Sequence, residues 1–261
     1  MKQIIYQVDA FTDEIFKGNP AAVCPLNSWL KDELMQRIAM ENNLSETAFY
    51  IKDGEDYQIR WFTPTIEVDL CGHATLASAY VLFNYENHYG NNIRFITLRS
   101  GDLIVAKEGD QITLNFPSDI IMPSDISKEF ADCFNIKPSH VFKGKTDYMF
   151  VFDSMKEIEL LIPDFPNIKK LDCRGIIVTA PADNVDFVSR FFGPQSGVDE
   201  DPVTGSAHTT LTPYWSQRLG KESLTAIQLS ARKGFLKCKN GGDRVDISGN
   251  CRLYMKGEIF I

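Results

Sequence analysis

The chain has 261 residues, 44% of them hydrophobic, and 27 Lys and Arg against 35 Asp and Glu give a formal net charge of -8 and a pI near 5.1. That length holds two small domains or one large one. The acidic balance, with no stripe of Lys and Arg, excludes a general affinity for nucleic acid or anionic membrane, and no run approaches the roughly eighteen apolar residues that span a bilayer.

The start, MKQIIYQVDAF, reads as a strand and has no basic segment, apolar core or cleavage site of a signal peptide, so a cytoplasmic location is expected. Six cysteines (Cys24, Cys71, Cys133, Cys173, Cys238 and Cys251) form no C-x-x-C pair and are read as reduced thiols.

GNPAAV (18–23) is a turn followed by a strand. WLKDELMQRIAMENN (29–43) sets Leu30, Leu34, Met35 and Ile38 on one face of a helix. Period-two runs rich in β-branched and aromatic residues predict strands in AFYIKD, YQIRWF, RFITL, LIVAKEG, QITLNF, GIIVTA and RLYMKGEIFI. HATLASAYVLFNY (73–85) is apolar nearly all round and predicts a core helix buried on every side. SDISKEFADCFN (124–135) and DNVDFVSRFF (183–192) read as amphipathic helices. FPSDIIMPSDIS (116–127) concentrates Pro, Ser and Asp and marks a domain boundary, giving domains 1–117 and 118–261, with the last strand free to return to the first.

The halves repeat. RWFTPTIEVD (60–69) aligns without a gap on RFFGPQSGVD (190–199), the second copy then gains three residues, and Cys71-Gly72-His73-Ala74 falls over Thr204-Gly205-Ser206-Ala207. Two copies of one unit, each with a small residue, Gly and a polar residue at a central helix start, would offer free backbone N–H groups to a carboxylate.

Three places could carry chemistry. Cys71 and His73 lack the further ligands at recognised spacing that a metal needs, and side chains two apart on a helix diverge, so neither a metal site nor a Cys–His nucleophile is expected. The pair is either a buried thiol beside a capping imidazole or part of a site. Glu200 and Asp201, inside the insertion, are either dipole partners of the following helix or catalytic carboxylates. In NNLSETAFY (42–50), alternation puts Glu46, Ala48 and Tyr50 on one strand face; Glu46 is either solvated or, if buried, raised towards the range of a general base.

VDAFT-x-x-x-F-x-GNPAAV, NLSETAF, F-x-P-x-x-EVDLCGHAT and GVDEDPVTGSAH, spread in order from residue 8 to 208, together resemble the phenazine-biosynthesis F-like isomerase family, relatives of diaminopimelate epimerase and proline racemase in fold. The resemblance implies an α+β protein of two pseudo-symmetric domains, each a curved mixed sheet around a central helix, with the active site between them, usually as a homodimer. It implies no cofactor and no metal. Carried over by motif, Glu46 matches the acid/base, His73, Asp201 and Ser206 its helpers, and Gly72 and Gly205 the substrate-binding backbone positions. The expected function is an isomerase that moves a proton on a small carboxylate, cyclic amino- or hydroxy-substituted ones included. The racemase relatives use two thiols. Cys71 holds the first thiol position, but Thr204 stands at the second, which favours a single base. The alternatives are an epimerase or racemase through Cys71 with a non-thiol partner, or a non-catalytic dimer that binds a small anion.

Overall fold

The computed structural model describes residues 2–261, which divide into two compact units: residues up to Phe116 together with Ile247–Ile261, and Pro117–Asp246. The elements of the first unit run β1 (Lys2–Ala10), β2 (Asn19–Leu26), α1 (Asp32–Asn42), β3 (Glu46–Asp53), β4 (Asp56–Phe62), β5 (Glu67–Val68), α2 (Gly72–Tyr85), β6 (Asn92–Ile96), β7 (Asp102–Glu108) and β8 (Gln111–Pro117). The C-terminal strand Cys251–Phe260 pairs with β1, and the sheet continues β1, β2, β3, β4, β6, β7, β8, parallel at β2–β3 and β4–β6 and antiparallel elsewhere.

Alternation decides what each face meets. Ala22, Cys24 and Leu26 of β2 and Phe49 of β3 pack with Met35, Ile38 and Ala39 of α1. Helix α2 is buried from His73 to Ala79 and again at Val81 and Leu82. Its two interior hydroxyls are satisfied within the helix: Thr75 Oγ1 donates to Cys71 O at 2.6 Å, and Ser78 Oγ to Ala74 O at 2.7 Å.

The second unit runs β9 (Met122–Ser124), α3 (Lys128–Ala131), β10 (His140–Lys143), β11 (Tyr148–Val151), α4 (Met155–Leu160), α5 (Phe165–Ile168), β12 (Ile176–Pro181), β13 (Phe187–Gly193), β14 (Val198–Asp201), α6 (Ala207–Leu219), β15 (Ser223–Gln228) and β16 (Gly234–Asn240). Its sheet is β9, β10, β11, β12, β13, β15, β16, parallel at β11–β12 and β13–β15, which are the counterparts of the two parallel joins in the first unit. One face packs Val178, Val188 and Phe192 against Phe134, Ile158 and Ile168. On the other, Phe187 stacks on Trp215 of α6 with ring centroids 5.7 Å apart and planes at 4°, and Trp215 Nε1 donates to Thr179 Oγ1 at 2.9 Å.

Two expected helices are not formed as read. DNVDFVSRFF yields β13, a strand. Phe187, Val188, Phe191 and Phe192 imitate a helical stripe, but a strand covered on both faces has no polar alternation to betray it. In SDISKEFADCFN only Lys128–Ala131 is helical, capped by Ser127 Oγ, which accepts from Phe130 N at 3.2 Å. The chain beyond is drawn off by the connection leading into α5: Asp164 N donates to Cys133 O at 2.8 Å, and Phe134 bridges to Pro163.

Strand pairing also corrects the repeat. Trp61 faces Val68 across β4–β5, and Phe191 faces Asp201 across β13–β14. Arg60 grips Glu67 through two bonds of 2.7 and 2.8 Å, and Arg190 grips Glu200 through two of 2.7 and 3.0 Å. Glu200 is therefore the counterpart of Glu67, and the three extra residues lie ahead of it rather than after Asp199.

Candidate active site

In the first unit, Glu46 opens β3 on the face turned to α2, while Gly72 and His73 are the first two residues of that helix. Cys71, the N-cap, is extended (φ -142°, ψ 111°), so it is not on the helix and does not diverge from His73 as helical residues two apart would: Cys71 Sγ lies 3.5 Å from His73 Nδ1. On the other side of the ring, His73 Nε2 lies 3.2 Å from Glu46 Oε2. Asn19, first residue of β2, donates its side-chain amide to His73 Nδ1 at 3.2 Å. An amide nitrogen only donates, so Nδ1 accepts and the ring proton sits on Nε2, facing the carboxylate. Burial holds the His73 pKa down to about 3, so at neutral pH this is an uncharged imidazole.

The carboxylate, thiol and imidazole have donor atoms within 4.8 Å of one another, close enough on distance alone for a metal ion. The ring, however, meets Cys71 through Nδ1 and Glu46 through Nε2, and one ion cannot use both lone pairs. Asn19 and Cys71 approach one side of the imidazole, and the Glu46 carboxylate stands 3.2 Å from the other without being aligned for a hydrogen bond.

In the second unit, Asp201 ends β14, Gly205 lies in the turn before α6, and Ser206 is the N-cap of α6. Thr204 Oγ1 donates to Asp201 Oδ2 at 2.6 Å. Ser206 Oγ makes no capping bond, while its carbonyl accepts from Thr209 Oγ1 at 2.7 Å. His208, one turn on, bonds through Nδ1 to Thr204 O at 2.9 Å, and burial lowers its pKa to about 4. Glu46 and His73 are thus brought together in one unit, and Asp201 and Ser206 flank the helix start of the other. Glu200, the neighbouring carboxylate, is committed to Arg190.

Two side chains that bond to these residues, Asn19 to His73 and Gln228 to Asp201 and Thr204, were not singled out in the sequence. Asn19 carries its signal only in the turn that places it, where Gly18 sits at φ +64° and a Cβ would come within 2.1 Å of Ala10 O. Gln228 left a fainter trace: it follows Leu224 and Ala226 on one strand face, a polar residue in an apolar row.

The sequence model of the PhzC-PhzF family, phenazine biosynthesis-like proteins, matches residues 8–257. The chain belongs to that family. It is 53% identical over the full length of both chains to an uncharacterised isomerase of Pseudomonas aeruginosa, and a PhzF-family protein of Enterococcus faecalis superposes with a TM-score of 0.97 at 46% identity, each chain fully covered. Isomerase is the class to which these PhzF relatives assign it. A hydroxyproline epimerase of Agrobacterium vitis shares the α+β fold alone, at a TM-score of 0.61 and 9% identity, with 99% of this chain and 92% of that one covered. Among the described residues no helix is long and apolar enough to cross a membrane.

Proposed function

We propose that this PhzF-family isomerase works without a cofactor, shifting a proton between carbons of a small carboxylate, cyclic amino- or hydroxy-substituted ones included. The observation that carries the reading is the 3.2 Å approach of the buried His73 ring to the Glu46 carboxylate. Glu46 removes the proton from carbon, becomes a carboxylic acid, and returns the proton to a second carbon, so that atoms and charge balance with no external reagent. His73, held uncharged by burial, acts as a neutral hydrogen-bond donor beside Glu46 that stabilises the enolate-like intermediate. The motif resemblance makes Gly72 in the first unit and Gly205 in the second substrate-binding backbone positions, and makes Ser206 and Asp201 helpers that offer a hydroxyl and a carboxylate to polar groups of a substrate. The resemblance that supports this reading also supports a cytoplasmic homodimer, which sedimentation would check.

The test is deuterium incorporation from D2O into a panel of small cyclic and amino carboxylates, read by mass spectrometry. Wild type should label at least one compound, and Glu46→Gln should keep the fold and the binding but lose about 10²-fold or more of the exchange. Undiminished exchange in Glu46→Gln would sink the assignment, and loss only in Cys71→Ala would move it to thiol-based epimerisation.

A further inference from the structure

The loop that carries Asp201 is held by a side chain so far without a role. Gln228, last residue of β15, is 0% exposed. Its Oε1 accepts from Thr204 N at 2.8 Å, and its Nε2 donates to Asp201 O at 2.7 Å and to Thr204 Oγ1 at 3.1 Å. One amide thereby ties both ends of the four-residue segment Asp201–Thr204.

The direction of every bond follows. A backbone N–H only donates, so the Gln228 oxygen must face Thr204 N and the amide cannot be turned over. Its NH2 must then face Thr204 Oγ1, which accepts. The Thr204 hydroxyl proton is left for its other near neighbour, Asp201 Oδ2, at 2.6 Å. Asp201 Oδ2 is an acceptor, and the negative form of Asp201 is the one this arrangement stabilises.

The first unit serves as an internal control. Pairing of β4 with β6 and of β13 with β15 puts Thr97 at the place of Gln228, Val68 stands at that of Asp201, and Cys71 at that of Thr204. Thr97 turns its hydroxyl to Gly101 O at 2.8 Å. All three members of the network are absent together from the copy that has no carboxylate there.

We propose that Gln228 is a positioning residue of the candidate active site, which orients the Thr204 hydroxyl onto Asp201 Oδ2 and so presents Asp201 as a fixed carboxylate acceptor. The proposal rests on the reading of Asp201 as a substrate-engaging group. One charged group that acts on Asp201 is Arg174, which is itself paired with Asp147.

Nuclear magnetic resonance on protein with 13C-labelled aspartate tests it, the Asp201 carboxyl signal being the one lost in Asp201→Asn. Thr204→Val and Gln228→Met should move the Asp201 titration to higher pH and lower deuterium exchange about tenfold, while Thr204→Ser, which keeps the hydroxyl, should restore both. An unmoved titration in Thr204→Val would overturn the proposal. A measurement on the wild type is independent of how any variant folds: the Thr204 hydroxyl proton should exchange slowly with solvent, and rapid exchange would equally overturn it. If no carboxylate in the panel exchanges, the proton-shift reading fails, yet the two resonance measurements still decide the network.

Discussion

Val68 faces Trp61 in the first unit, and Asp201 faces Phe191 at the corresponding place in the second. The same relation holds in reverse for the other carboxylate. Thr47 faces Phe62 across β3–β4 and Ile176 faces Phe192 across β12–β13, so the counterpart of Glu46 is Gly175. A Cβ at Gly175 would lie 2.4 Å from Phe191 Cζ and 2.7 Å from Phe192 O, so no acid can stand there. Each copy of the duplicated unit has kept one carboxylate, at non-equivalent positions, while both have kept the Arg–Glu clamp that shapes the turn.

Adjacent carboxylates should therefore behave differently. Glu200→Gln breaks a partly buried bidentate pair, with Arg190 and Glu200 side chains 13% and 24% exposed, and should cost about 1 to 3 kcal/mol of stability with little loss of deuterium exchange. Asp201→Asn should cost little stability and most of the exchange. Chemical denaturation and exchange measured on both variants check this, and the reverse pattern would reassign the two residues.

Gly18 sits at φ +64°, and a Cβ there would meet Ala10 O at 2.1 Å and Thr12 Cγ2 at 2.9 Å. Gly18→Ala should destabilise by about 1 to 3 kcal/mol and displace the neighbouring Asn19 from His73. A fall in the denaturation midpoint with a parallel fall in exchange is expected; an unchanged midpoint would show that the turn relaxes freely.

What was legible in the sequence follows physical lines. Helix α2 was readable because a segment apolar on every side has one stable place, and Glu46 because strand alternation fixes its face. Strand β13 was not, since burial on both faces removes the periodicity that separates strand from helix. The repeat was visible, but its gap was misplaced: Val68 and Asp69 match Val198 and Asp199 by letter, whereas the ladder and the arginine clamp equate Glu67 with Glu200. The short distance from Cys71 to His73 depends on Cys71 being an extended cap, which spacing alone does not reveal. Gln228 acts on residues 24 and 27 positions away, beyond any local pattern.

His208 gives the protein an acid sensitivity separate from the candidate chemistry. Its pKa is lowered to about 4 in the folded chain against 6.5 for the free side chain, so between these values the unfolded state binds a proton that the folded state does not. Stability should hold above about pH 6.5 and fall as the pH drops towards 4, by about 3 kcal/mol over that window. His208→Asn, which keeps a donor for Thr204 O, should show a shallower loss of Tm between pH 7 and 4.5 than wild type. Equal slopes would mean that His208 is protonated in the folded state.

The tautomer of His73 can be set from outside the ring. Asn19 donates to Nδ1 and so leaves the proton on Nε2, opposite Glu46. Asn19→Asp replaces that donor with an acceptor, which draws a proton to Nδ1 and favours the imidazolium, raising the His73 pKa from about 3. Two outcomes then compete: a ring with its proton on Nδ1 alone has no donor on the side of Glu46, and a charged ring holds Glu46 in an ion pair too stable to act as a base. Either should cut deuterium exchange about 10- to 100-fold with the fold intact. 15N resonance of the ring nitrogens at neutral pH should show a single Nε2–H tautomer in wild type and a protonated Nδ1 in Asn19→Asp. A wild-type ring protonated on Nδ1 would have no donor beside Glu46, and His73 could then not give a hydrogen bond to the intermediate.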